Sequence, residues 1–136
     1  MVGKAAERYK EVRDNTSTPG ELLLALYEGV FRFINSARVC LENKQDARAR
    51  EFVGKAYAVV SELLLALDHN AAPELCANLA AVYDFVLSRL SDANRHAQIK
   101  PLDEAARALT PLREAWKLAV PKAMAEASAS KKGLSP

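Results

Sequence analysis

The chain has 136 residues, half of them hydrophobic but only 7% aromatic, and its 19 basic and 17 acidic side chains leave a formal charge of +2. That length suffices for one domain with a real core and no disulfide or metal staple, and so small a net charge argues against a nucleic-acid groove. No charged-then-apolar leader opens the sequence, and the longest apolar run, Leu22 to Tyr27, is far too short to span a bilayer, so the expectation is a soluble, cytoplasmic protein without membrane insertion.

Residues 1–17 carry no helical stripe, only Tyr9 and Val12 among charges, and read as a loosely docked N-terminal arm. The first helix opens at Thr18 as N-cap, with Pro19 in the first helical position and Glu21 in the third, a capping box with a pre-set φ. It runs to about Glu42, where the polar "ENKQD" turns the chain. Asp46 is placed to cap a second helix reaching about Asp68, and "HNAAP" forms the next turn. Pro73 suits the first position of a third helix, which extends to about His96. Pro101 begins a fourth, "PLDEAARAL", and Pro111 falls in its path, so the pattern predicts a kink or break at Thr110 followed by "PLREAWKLAV". Pro121 ends or bends that piece. The last residues, "ASASKKGLSP", read as a frayed tail, which gives an arm over 1–17, a helical domain over 18–125 and a disordered tail over 126–136. Long helices with short connections predict an all-α, up-and-down antiparallel four-helix bundle with a kinked or broken last helix.

The first helix is more apolar than one core contact requires. At ~100° per residue its apolar positions cover an arc of roughly 200°, against the ~100° stripe of an ordinary surface helix. Leu22, Leu26, Phe33 and Cys40 make one line, Leu23, Val30, Ile34 and Leu41 a second, and Leu24, Tyr27 and Phe31 a third. In the second helix Tyr57 falls in a broad stripe and Leu65 stands outside it. In the third, Leu75 falls in the stripe and Phe85 outside it, which makes Leu65 and Phe85 candidates for exposed apolar surface. Two explanations of the surplus stand at this point. Either the first helix is the most buried element, covered by the arm or by Trp116, or part of it lines an open groove for a partner's amphipathic helix.

No catalytic constellation is legible. There is no Glu-x-x-His pair for a dimetal carboxylate site, no GxSxG, GxGxxG or P-loop, and no CxxC around Cys40 or Cys76, which read as reduced core thiols. His69 and His96 fall at predicted helix ends, where they are solvated or cap the last turn. Gly29, flanked by bulky residues, marks either close helix packing or a point of approach for a partner's backbone. The chain is therefore expected to be a binding module, with no catalytic residue, cofactor or metal.

The run of Tyr9 followed by "NTSTPGELLLALYEGVFRFI" (residues 15–34), then "KAYAVVSELLLALDHN" (55–70), "NLAAVYDFVLSRLSDAN" (78–94) and "LREAWKLAV" (112–120), resembles the FliS family of flagellar secretion chaperones over roughly residues 9–120. The resemblance implies a cytoplasmic export chaperone that binds the C-terminal segment of flagellin, prevents its premature polymerisation and helps present it to the flagellar type III export apparatus. It implies a client-binding groove built or supported by Leu24, Tyr27, Phe31 and Ile34 and extended by Leu65 and Phe85. It also implies an N-terminal latch at Tyr9 and Val12, with a permanent hydrophobic plug as the alternative. An export-gate component and an anti-sigma factor are further expected partners, the latter as client of an alternative, regulatory function, and the protein is expected to be a monomer or weak homodimer. Asp14 stands where the family pattern has an aliphatic residue, "AAPE" replaces a glycine-rich turn, and Pro111 and Pro121 are unusual in the last helix.

Overall fold

The computed structural model describes residues 18–133, so the arm and its proposed latch residues Tyr9 and Val12 lie outside the described residues. Within that range the chain forms four α-helices and no strand: α1 Pro19–Glu42, α2 Asp46–Leu65, α3 Pro73–His96 and α4 Ile99–Gly133.

Local chemistry sets most of these limits. The backbone N–H of Glu21 donates to Thr18 Oγ1 at 3.1 Å, satisfying one of the donors that a helix start leaves open. α2 differs from the expectation by one position, because Asp46 is already helical and Gln45 precedes it without a side-chain cap. Its carboxylate therefore acts on the helix dipole rather than as a cap. α2 also stops at Leu65, short of Asp68, whose Oδ1 instead accepts the N–H groups of Asn70 and Ala71 at 3.1 and 3.3 Å and builds the turn. α3 starts at Pro73 and is closed by Ala97 in the left-handed region, φ 50°, whose N–H returns to the Ala93 carbonyl.

Of the kink or break expected at Thr110, a break does not occur, because the helix is continuous there. α4 continues through Pro111 and Pro121, and the Thr110 hydroxyl donates to the Ala106 carbonyl at 2.7 Å, adding a side-chain bond one turn back, just before the residue that lacks an N–H. Helical backbone also reaches Gly133, into the segment whose composition suggested disorder from residue 126. The alanines, glutamate and lysines there are among the best helix formers.

The chain divides into two compact units, Leu26–Thr110, and Met1–Ala25 with Pro111–Pro136. The larger contains part of every helix, and its side-chain contacts fix the topology. Lys55 of α2 sits over the Phe33 ring of α1. Arg50, early in α2, donates to the carbonyl of Asn94, late in α3. Arg89, late in α3, meets Glu104, early in α4, and Arg38, late in α1, meets Asp103, early in α4. Each helix thus runs antiparallel to the next, and the last returns to the first, giving an up-and-down four-helix bundle in cyclic order. Tyr27 and Tyr83 touch across the diagonal between α1 and α3. Around them Val30, Val59, Val60, Val86, Leu90 and Leu102 are fully buried, and no charged residue is buried among the described residues.

In the smaller unit the first turn of α1 meets α4 closely. A Cβ at Gly20 would lie 2.8 Å from Val120 Cγ1, so the contact requires glycine. Gly29 has no such neighbour, only the side chain of its own Arg32 at 3.7 Å, so the packing role expected for it belongs to Gly20 instead.

Candidate binding surface

The four residues of α1 expected at a groove do not share one environment. Tyr27 and Ile34 are core residues, whereas Leu24 and Phe31 are half-buried. The reason is the width of the α1 apolar arc: its middle is spent on the bundle interior, and only its flank remains near the surface. Tyr27 and Tyr83 join hydroxyl to hydroxyl at 2.7 Å, with ring centroids 6.5 Å apart and planes tilted by 60°. Burial, and then the hydrogen bond with Tyr27, push the Tyr83 phenol well above its usual range, so Tyr83 stays neutral and its role is structural.

The surplus apolar surface lies on other helices. Leu65, at the end of α2, is 79% exposed and Phe85, midway along α3, is 46% exposed, as their positions outside the helical stripes predict. Val39, Tyr57, Leu75 and Leu118 are also exposed. Tyr57 and Leu75 fall within the apolar stripes of their helices, at the stripe edges, and are nonetheless exposed. A narrower stripe centred on Val53, Val60 and Leu63, or on Leu79, Val86 and Leu90, would have separated them.

Phe85 borders a shallow depression of ≈ 320 Å³ between α3 and α4, lined also by Glu104, Arg107 and Ala108. The guanidinium of Arg89 lies 5.7 Å from the Phe85 ring centroid and is anchored on Asp92 Oδ2 at 2.7 Å and, more loosely, on Glu104 at 4.0 Å. The apolar ring is therefore framed by fixed charges, an arrangement that suits a partner with an apolar anchor and polar flanks. Leu65 and Phe85 belong to different helices, and Leu65 is not among the residues lining the Phe85 depression.

Cys40 and Cys76 are free, buried thiols, the latter donating to the Asp68 carbonyl at 3.3 Å. Among the described residues no cluster of His, Cys, Asp and Glu could hold a metal ion, and no helix is long and apolar enough to cross a membrane.

Residues 2–123 match the family model described as flagellar protein FliS. The chain belongs to the FliS family. Among its FliS relatives, the flagellar secretion chaperone FliS of Bacillus subtilis (strain 168) is 38% identical over 112 residues, 82% of this chain and 83% of the relative. The FliS of Salmonella typhimurium is 30% identical over 109 residues, covering 79% and 81%. The FliSB chaperone of Pseudomonas aeruginosa is 28% identical over 117 residues, covering 83% and 93%. A solved structure described as a flagellar chaperone from bacteria shares the fold, with a TM-score of 0.72 over 90% of this chain and 99% of that one at 20% identity. FliS proteins are flagellar secretion chaperones and not enzymes, which agrees with a surface that offers apolar contact and no reactive group.

Proposed function

We propose that this chain is a cytoplasmic export chaperone for flagellin: it binds the flagellin C-terminal segment, holds it back from premature polymerisation and helps deliver it to the flagellar type III export apparatus. The observation that carries the reading is membership of the FliS chaperone family. The physical support is a bundle whose core is filled while Phe85 and Leu65 remain at the surface. A segment that is disordered when free must be ordered on binding. Burying large apolar side chains at about 1.5–3 kcal/mol each offsets that cost. Phe85 and its framed depression form the central anchor, Leu65 extends the contact, and Leu24 and Phe31 contribute along the flank of α1. Tyr27 and Ile34 support this surface from the core. Tyr9 and Val12 act as a latch over it.

Calorimetric titration with a peptide covering the last ~40 residues of the source organism's flagellin tests the reading, since that length exceeds a single helix-in-groove contact. One-to-one binding with a negative heat-capacity change is expected. Phe85→Asp should weaken it at least tenfold with helicity unchanged. No binding at tens of micromolar would overturn flagellin as the client and favour a regulatory partner.

A further inference from the structure

The seam between α1 and α2 lies across the cyclic bundle from Phe85, and two of its cations, Arg48 and Lys55, rest on aromatic rings without a carboxylate partner among the described residues. Arg38, Arg89 and Arg95 each hold a carboxylate. Along the seam the cations hold aromatic rings: Lys55 Nζ is 5.9 Å from the Phe33 centroid and 5.5 Å from that of Phe52, and the Arg48 guanidinium is 5.9 Å from Phe52. One turn before Phe33, the Arg32 guanidinium lies back over Gly29. None of Arg32, Arg48 and Lys55 has an ion-pair partner among the described residues. A neutral ring orients a cation without cancelling its charge. Phe33 and Phe52 are only half-buried.

We propose that the α1–α2 seam docks an acidic segment of a second protein, with carboxylates on Arg32, Arg48 and Lys55 and an apolar side chain on the edges of Phe33 and Phe52. Charge complementarity selects this occupant: three cations without an ion-pair partner among the described residues, two of them seated on rings, beside apolar surface match alternating carboxylate and apolar groups. A nucleic acid fits less well. Bases stack on open ring faces, and Lys55 occupies a face of both rings, while the whole chain carries a formal charge of only +2. None of Arg32, Phe33, Arg48, Phe52 and Lys55 is among the residues assigned to the flagellin contact, so the inference does not depend on the identity of the client there.

The test uses NMR on the full isotope-labelled chain with an amidated 20-residue helical peptide of Glu, Ala and Leu, its leucines spaced along one face, and a counterpart with Lys for every Glu. The acidic peptide should move the Phe33 and Phe52 ring resonances together with amides of α1 and α2. Raised salt should weaken it. The double variant Arg48→Gln, Lys55→Gln should reduce affinity at least tenfold with unchanged helicity and unchanged titration by the flagellin peptide. The proposal is overturned by equal binding of the lysine peptide, by shifts centred on Phe85, by no shifts at all, or by an oligouridylate moving the same rings where the acidic peptide does not.

Discussion

The Tyr27–Tyr83 pair places two hydroxyls in the bundle interior, and the buried Tyr83 hydroxyl is satisfied there by Tyr27. Tyr27→Phe should therefore cost about 1–3 kcal/mol by leaving the buried Tyr83 hydroxyl without its partner. Urea unfolding of the Tyr27→Phe variant against the parent chain measures the loss. The pair also has a pH signature. The folded chain keeps the Tyr83 proton above the value near 10 at which an unfolded tyrosine loses it. The unfolded state then binds fewer protons, so this contribution is fully present below about pH 10 and falls as pH rises beyond it, with a slope approaching ~1.4 kcal/mol per pH unit. Tyr83→Phe should remove that part of the alkaline slope. At this scale the sequence was legible where a large apolar side chain stands well off its stripe, as Leu65 and Phe85 do. It was not legible for Tyr57 and Leu75, because a stripe edge is buried or exposed according to how closely the neighbouring helix approaches. No spacing within one helix encodes that distance.

Among the helices, glycine shows which contacts are close. Gly54 of α2 has open space where a Cβ would stand, whereas a Cβ at Gly20 would meet the stiff, β-branched Val120. Gly54→Ala should stabilise the fold by about 0.5–1 kcal/mol through helix propensity, whereas Gly20→Ala should lose stability despite the same propensity gain. Thermal midpoints of the two variants check the contrast. The limits of α1 and α3 were readable because Thr18, Pro19 and Pro73 act through chemistry local to each helix start. The course of α4 was not. A proline's local cost is visible in the sequence, but the Thr110 bond and the favourable propensity of the residues beyond Pro121 weigh against it, and only the sum decides whether the helix continues.

For the molecule as a whole, four helical patterns with short connections were enough to indicate the bundle, because adjacent antiparallel helices are the economical way to bury such stripes. Which seam carries which character was not visible in the patterns, since it depends on pairings such as Lys55 with Phe33 and Arg89 with Phe85 that join different helices or different turns. The connections themselves, residues 43–45, 66–72 and 97–98, lie between helices that are neighbours in space as well as in sequence. Contacts between successive helices therefore close short stretches of chain, while the Tyr27–Tyr83 diagonal and the return of α4 to α1, fastened by Arg38 and Asp103, close longer ones. Such a topology collapses through local steps, on the microsecond-to-millisecond scale typical of helical bundles. The chaperone is then competent within a moment of leaving the ribosome, well before a polypeptide of several hundred residues made alongside it has been completed at about 5–20 residues per second.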